Sequence, residues 1–193
     1  MVLSTAWFPP AKFFALLAKN PVVYLEACES YRKQTWRNRC RILTANGPMD
    51  LRVPVVHDGA RLITEVRVDW STPWLRQAEY AIDSAYYSSP FFIYYRDELF
   101  ALLEQRRERL WDMNLDVIQF FCRKIGIAPE IIPTSDFVLS PEGDCRDLLS
   151  PKKPFEYTVR PYWQVFRDKF GFVPGLSIMD LLFNEGPESL AYL

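Results

Sequence analysis

The chain has 193 residues, of which 49% are hydrophobic, 16% aromatic and 24% charged, and its formal net charge is −1. This hydrophobic content is typical of a folded globular domain and excludes a disordered chain. Because there is no basic excess, a general nucleic-acid-binding protein is excluded as well.

The first residues predict a parallel β-α-β unit. Residues 2–6 read as a short strand, 11–19 as a helix with one apolar side, and 22–25 as a buried second strand. Asn20-Pro21 ends the helix, because proline cannot continue its hydrogen-bond ladder. The order strand–helix–strand favours parallel pairing through a crossover.

Two turn signals follow, and they predict an antiparallel three-stranded meander. Asn46-Gly47 and Asp58-Gly59 each lie between alternating runs, and we place each dipeptide at the centre of a hairpin turn. This register sets Ile42 opposite Leu51 and Leu51 opposite Val66 on one apolar face. That face is therefore expected to be core.

Helices dominate the next section. Capping and proline signals predict helices that begin near Thr72-Pro73, Ser89-Pro90 and Asp112, and Gly126 ends the third. Further elements are expected as strands at 130–132 and 137–139 and a capped helix within 176–187. The expected fold is one α/β domain over residues 1–193, with α+β as the alternative, in which helices pack on a mixed sheet. Its parts are a sheet-rich region over about 1–70, a helical region over about 71–126 and a loop-rich region over about 127–193.

The segment 31–42, YRKQTWRNRCRI, concentrates basic side chains in a chain that is otherwise almost charge-balanced. If 36–43 is a strand, the residues that face the core are Trp36, Asn38, Cys40 and Ile42. The residues on the opposite face are Arg37, Arg39 and Arg41. Arg41 then lies opposite Arg52, whereas Arg37 and Arg39 meet no acidic partner.

Such arginines indicate an anion site, because guanidinium groups bind phosphate or carboxylate through paired hydrogen bonds. The alternative is a basic wall that is solvated or bridged to acids from elsewhere in the fold.

Other groups that could carry chemistry are few. His57, the only histidine, is a candidate base or a plain turn residue, and Glu26 is a candidate base or a solvated acid at a strand end. A Cys40–His57 dyad is disfavoured, since the register separates the two by roughly 13 Å at ~3.3 Å per residue. Asp180 lies in a short apolar helix and is either a structural or a site carboxylate.

Cofactor and targeting motifs are absent from the sequence. It has no zinc-ligand constellation and no GxGxxG, Walker-type or GxSxG motif, so the cofactor stays unassigned and no metal, nicotinamide or flavin is indicated. The four cysteines have neither CxxC spacing nor the density of a disulfide scaffold. No apolar run approaches the ~20 residues of a membrane span, and no secretory signal pattern begins the chain. We therefore expect a cytoplasmic protein with reduced thiols.

Five stretches resemble the WbqC-like protein family of bacteria and archaea, and they occur in the family's order. They are AWFPPAKFF (6–14), YRKQTWRNRCRI (31–42), LRVPV (51–55), SAYYSSPFFIYY (84–95) and LSIMDLLFNEGPES (176–189). Many members have Gln-Pro where this chain has Thr5-Ala6. Family members are often encoded among genes for surface polysaccharide or O-antigen synthesis. The resemblance therefore implies work on activated sugars or acyl donors, without implying a catalytic set.

The leading hypothesis is a group transferase of surface-glycan biosynthesis that acts on a nucleotide-linked sugar or an activated acyl donor. The residues expected to bind the anionic part of the donor are Lys33, Arg37, Asn38, Arg39 and Arg41. The expected ring contacts are Trp7 and Tyr31, and the candidate bases are Glu26 and His57. The alternative is a non-catalytic interaction or scaffold protein that uses the arginine strand and the proline-rich segment 140–161. A homo-oligomer is left open.

Overall fold

A parallel three-stranded sheet organises one side of the fold in the computed structural model, which describes residues 1–149 and 159–193. β1 (Val2–Ser4) pairs with β2 (Val22–Glu26) through the crossover helix α1 (Ala11–Lys19), which confirms the predicted β-α-β unit. β2 also pairs in parallel with β5 (Glu130–Pro133), the strand predicted at 130–132. Because all three strands are parallel, their carboxyl ends meet along one edge of the sheet.

An antiparallel hairpin forms a second sheet, separate from the first. It consists of β3 (Arg39–Thr44) and β4 (Gly47–Arg52), in which Cys40 pairs with Leu51. The predicted register, in which Ile42 faced Leu51, is thus wrong by two residues. A shift of two keeps each side chain on its face, so Cys40 and Ile42 are buried as expected.

The hairpin turn explains the register. Thr44 pairs directly with Gly47, so Ala45 and Asn46, rather than Asn46 and Gly47, form the two-residue loop. The Thr44 hydroxyl donates to the Gly47 carbonyl at 2.8 Å and accepts from the Asn46 amide at 3.2 Å. Gly47 has φ of +106°, a conformation that glycine adopts without a steric penalty. The threonine side chain therefore closes the loop one position earlier than the Asn-Gly signal predicts.

The predicted third strand of the meander does not form in the described part of the chain, and the single mixed sheet is replaced by two sheets. Only an isolated bridge between Val55 and Val68 joins this segment to the chain after β4. The predicted register, with Leu51 opposite Val66, would instead set Val55 opposite Leu62. The two halves of the segment pair elsewhere: 61–63 with 29–31, and 66–68 with 108–110. These competing partners, distant in sequence, explain why the local pattern failed.

The three predicted central helices are confirmed as α2 (Trp74–Tyr86), α3 (Phe92–Leu103) and α4 (Leu110–Ile125). α4 ends at Gly126, whose backbone is left-handed with φ of +86° and whose N–H binds the Cys122 carbonyl.

The C-terminal helices follow a short helix, α5 (Arg167–Phe170). The predicted capped helix is α6 (Ile178–Glu185), where the Ser177 hydroxyl accepts from the Met179 amide at 3.3 Å. Its α-helical part ends before Gly186 as expected, although the chain continues into a 3-10 helix, Gly186–Tyr192.

Residues 137–139 form no strand, contrary to prediction. They lie in a loop whose Val138 and Leu139 carbonyls accept hydrogen bonds from the Arg146 guanidinium at 2.9 and 3.0 Å. The side chain of Arg146 therefore supplies the partners that a neighbouring strand would otherwise provide. Part of the predicted loop segment 140–161 lies outside the described residues.

Side chains from both sheets and from the helices meet in one continuous hydrophobic core. An aromatic chain runs through it: the ring centroids of Trp7 and Phe8 lie 4.8 Å apart, and those of Phe8 and Phe121 lie 5.9 Å apart. Phe14 contacts the same Phe121 ring at 5.9 Å. Helices α1 and α4 and the loop after β1 thus pack against one another through these rings. Much of the aromatic content of the chain therefore lies in the core.

A carboxylate is buried within this core. Asp180 on α6 accepts hydrogen bonds from the Tyr162 hydroxyl at 2.7 Å and from the Gln164 amide at 2.8 Å. Burial raises the pKa of Asp180 to about 6, although the hydrogen bonds from Tyr162 and Gln164 oppose the shift. Asp180 is thus a structural carboxylate, held by neutral donors rather than by a cation.

We expect Asp180 to make the protein less stable as the pH rises from about 4 to about 6. Its pKa is raised in the folded state, so its stabilising contribution is complete below the unfolded-state value, near 3.9, and is lost as the pH passes the folded value. A difference of about two pH units between the two pKa values corresponds to about 3 kcal/mol. Asp180→Asn should flatten this decline when free energies of unfolding in urea are compared across that range. The exposed Asp168→Asn is the control, and a decline that persists in the Asp180 variant would contradict the assignment.

Candidate functional site

A cleft of about 560 Å³ opens between the basic segment, the end of β4 and the start of α2. Its size lies within the range of small-molecule sites. Five residues that the sequence singled out lie in its walls: Tyr31, Lys33, Asn38, Arg39 and His57. The structure thus brings together most of the predicted anion-binding residues, one predicted ring contact and one candidate base.

The cleft is strongly cationic because the corrected register sets Arg39 directly opposite Arg52. Like charges at directly opposed positions of a hairpin destabilise it unless something neutralises them. A third cation, Lys33, lies in the same walls, and Asp69 is the one carboxylate among the described lining residues. The positive charge of the cleft is therefore only partly balanced by the protein.

Arg39 itself has no ion-pair partner among residues 1–149 and 159–193, and its buried Nε has no hydrogen-bond acceptor there. A buried donor without an acceptor costs about 1–3 kcal/mol, more when the group is charged. An anion in the cleft would supply both the acceptor and the counter-charge.

Polar and aromatic groups complete the cleft. The side-chain amide of Asn38 donates to the Val53 carbonyl at 2.8 Å, while its buried Oδ1 has no donor in the described part of the chain. Tyr31 is half-buried; burial raises the pKa of its hydroxyl, and the charge of Arg39 opposes this. The Trp74 ring lies in the wall, 5.0 Å from the ring of Trp70. The cleft thus offers flat surfaces beside its cations.

Arg37 does not reach this cleft. Its buried guanidinium donates to both carboxylate oxygens of Glu29, at 2.8 Å through Nε, and to the Ser4 hydroxyl at 2.9 Å. The prediction that Arg37 meets no acid is wrong, because residues Trp36–Asn38 form a 3-10 helix rather than a strand. The Thr35 hydroxyl caps this turn, and the Arg37 side chain reaches Ser4 at the end of β1.

Arg41 is also paired within the fold. Its Nε lies 2.7 Å from Asp50, and its guanidinium lies over the Trp36 ring at 5.5 Å from the centroid. Asp50, rather than the predicted Arg52, is its cross-strand neighbour. This correction follows from the same two-residue shift of register.

Trp7 and Glu26 are buried away from the cleft. Trp7 is fully buried among aromatic rings, which leaves no face for a sugar or base. Glu26 accepts from the Arg146 guanidinium at 2.9 Å, from the Thr134 hydroxyl at 2.7 Å and from the Cys28 amide at 3.0 Å. These contacts occupy the Glu26 carboxylate, so among the candidate bases only His57, exposed at the cleft, is accessible.

Sequence reasoning missed Arg52, Asp69 and Trp74 as cleft residues. All three come from elements that fold back against the basic segment, and none has a motif of its own. The one signal for Arg52 in the sequence is its predicted position opposite another arginine, Arg41.

Metal and thiol chemistry receive no support from the geometry. Within the described ranges, no three His, Cys, Asp or Glu side chains are arranged to hold a metal ion. All four cysteines are free thiols, and burial raises the pKa of Cys40 well above its ordinary value, so it is a poor nucleophile. No helix in the described part is both long and apolar enough to cross a bilayer.

Comparison with known proteins bears on the whole arrangement. The chain is 26% identical to the uncharacterized protein Rv1507c of Mycobacterium tuberculosis over 223 aligned positions, which cover 100% of this chain and 96% of that protein. No solved structure matches the chain. A family model described as the WbqC-like protein family matches residues 5–150. That match covers well over half of the chain, including the basic segment and all of the cleft, and the chain therefore belongs to the WbqC-like protein family.

Proposed function

We propose that the protein is a cytoplasmic enzyme of cell-surface glycan biosynthesis, a group transferase whose cleft binds the anionic part of an activated donor. The observation that carries the proposal is the Arg39 guanidinium, which lies in the cleft with Arg52 and Lys33 and whose buried Nε has no acceptor among the described residues. Nucleotide-linked sugars and acyl-coenzyme A donors both carry phosphate groups, which guanidinium forks bind through charge-assisted hydrogen bonds.

Support for the glycan pathway comes from the family alone. Members of the WbqC-like family are often encoded among genes for surface polysaccharide or O-antigen synthesis, and the family match includes the basic segment of this chain. The cleft is consistent with that setting, because it combines cations that can bind phosphate with the half-buried ring of Tyr31.

The proposed roles follow from position in the cleft. Arg39, Arg52 and Lys33 bind the donor phosphates, and Tyr31 contacts the donor's ring. In the transfer, the acceptor's hydroxyl oxygen bonds to the donor carbon, and the bond from that carbon to the leaving group breaks. His57, exposed at the cleft, takes the proton of the acceptor hydroxyl as general base.

We expect Arg39→Gln to weaken donor binding by about 10- to 100-fold, because a hydrogen bond to a charged group contributes about 1.5–3 kcal/mol. Calorimetric titration of the full chain with a panel of nucleotide-sugars and acyl-coenzyme A compounds measures this, after a thermal-shift screen identifies the ligand. Arg123→Gln, an exposed arginine of α4 outside the cleft walls, is the matched control. If Arg39→Gln bound every compound as the unaltered protein does, the assignment of the cleft would fail.

A non-catalytic interaction protein is the competing function, and one surface feature favours it. Three large side chains of α2 and α3 are at least 74% exposed: Tyr80, Ile93 and Tyr94. Such residues suit a protein partner better than water. The ion pairs of Arg37 and Arg41 with acids also fit this alternative, whereas Arg39 does not, and part of segment 140–161 lies outside the described residues. Transfer of a labelled donor group by the purified protein would decide for the enzyme.

A further inference from the structure

A second polar cavity lies at the carboxyl edge of the parallel sheet. This edge commonly holds ligands in open α/β folds. An inner chamber of about 50 Å³ is bounded by Ser4 and Thr5 at the end of β1, and by Trp36. An outer chamber of about 220 Å³ adjoins it and includes Phe137. The residues common to both walls are Arg32, Arg37, Arg146 and Asp147, and none of the lining residues belongs to the cleft.

The frame of this cavity is rigid and its charges are mostly matched. The Nε and Nη2 atoms of Arg37 both donate to the Glu29 carboxylate, and Nη2 also donates to the Ser4 hydroxyl. That hydroxyl in turn donates to Glu29 at 3.0 Å. Arg146 binds Glu26 and Asp144. A ligand would therefore enter walls in which Arg37 and Arg146 are already held in place by their ion pairs.

Two groups that can donate are left without partners in the inner chamber. The Thr5 hydroxyl and the Trp36 indole N–H are buried in residues that are 1% and 7% exposed, and neither has a partner within 1–149 and 159–193. Buried polar groups are rarely left unpaired in proteins. Arg32, in the walls of both chambers, forms no ion pair in the described part of the chain. The ligand that complements these groups is one rich in acceptors.

The inner chamber is large enough for such a group. A single water needs about 10–15 Å³ of comparable volume, so about 50 Å³ accommodates a group of several heavy atoms. We propose that the inner chamber is a second anion site, which binds the phosphate or carboxylate group of a small molecule, while the rest of that molecule lies in the outer chamber beside Phe137. The second site is independent of the transferase proposal, because its chambers share no lining residue with the cleft.

The experiment follows the indole N–H signal of Trp36 by NMR in the full chain, and the Trp36→Phe variant assigns that signal. The protein is titrated with inorganic phosphate and, separately, with acetate at constant ionic strength. A saturable shift is expected, and the anion that causes it distinguishes a phosphate from a carboxylate ligand. Thr5→Val and Arg32→Gln should each weaken that response by about tenfold. Arg39→Gln in the cleft should leave it unchanged, which separates the two sites.

Two results would overturn the second site. One is the absence of a saturable shift of the Trp36 signal with either anion. Loss of that shift in Arg39→Gln alone would count equally, because it would place all anion binding in the cleft. The other concerns Thr5→Val, which removes an unpaired buried hydroxyl and should keep or raise the melting temperature. A lower melting temperature with an unchanged anion response would assign the hydroxyl to the fold. Arg32 is exposed, so its variant keeps the test valid in a folded protein.

Discussion

Arg37→Met is expected to destabilise the protein by about 3–5 kcal/mol, because it leaves Glu29 buried without its counter-charge. Glu29 is 5% exposed, and Arg37 supplies paired hydrogen bonds to its two carboxylate oxygens. The remaining donor, the Ser4 hydroxyl at 3.0 Å, carries no charge. Free energies of unfolding from urea denaturation at neutral pH measure the loss.

The neighbouring Arg39 provides the contrast. Arg39→Met should not lower the free energy of unfolding, because it relieves the repulsion with Arg52 and removes a buried donor whose lack of an acceptor costs about 1–3 kcal/mol. The double variant Glu29→Gln with Arg37→Met should recover most of the loss, since replacing both partners of a buried ion pair is often neutral. Equal losses of unfolding free energy for Arg37→Met and Arg39→Met would contradict the structural role assigned to Arg37.

This contrast marks the limit of what the sequence reveals about the site. On a strand, Arg37 and Arg39 share one face and are equivalent. A single turn of 3-10 helix at Trp36–Asn38 separates them, and one residue becomes part of the frame while the other enters the cleft. The acid that neutralises Arg37 is only eight positions away, yet periodicity alone does not bring the two together.

The fold was predictable where the signals are local. The β-α-β unit follows from Asn20-Pro21 and two apolar runs, and α4 ends at Gly126 because glycine accepts the left-handed conformation there. The hairpin was predicted but its register was not, since the Thr44 hydroxyl overrides the Asn-Gly signal. The third strand failed because its backbone partners at 29–31 and 108–110 are distant in sequence.

The composition of the cleft was predictable only in part, for the same reason. The basic segment stands out by charge alone, so Lys33 and Arg39 are found from the sequence. Arg52 and Trp74 enter the cleft through tertiary packing, which no short pattern encodes. Trp7 shows the converse: an aromatic within a stretch that resembles the family was expected to contact a ligand, whereas it lies in the core.

Arg146→Met is also expected to lower the free energy of unfolding by about 3–5 kcal/mol. It should in addition make the loop that this arginine binds to the sheet more mobile. Arg146 binds the almost fully buried Glu26 at 2.9 Å and Asp144 at 2.6 Å, and it donates to the carbonyls of Val138 and Leu139. Its loss leaves Glu26 with only neutral donors at the end of β2. Urea denaturation gives the loss of stability, and hydrogen exchange of residues 134–147 should show faster exchange of the loop amides.

Arg146→Lys separates charge from geometry. A lysine retains the positive charge but cannot bind Glu26, Asp144 and two carbonyls at once, because its single ammonium lacks the planar fork. We therefore expect it to recover less than half of the loss. Arg61→Met, an exposed arginine, should be almost neutral. A loss below about 1 kcal/mol for Arg146→Met would mean that Glu26 and Arg146 behave as an ordinary surface ion pair. The edge of the sheet would then be open to water, and the rigid frame inferred for the inner chamber would be lost with it.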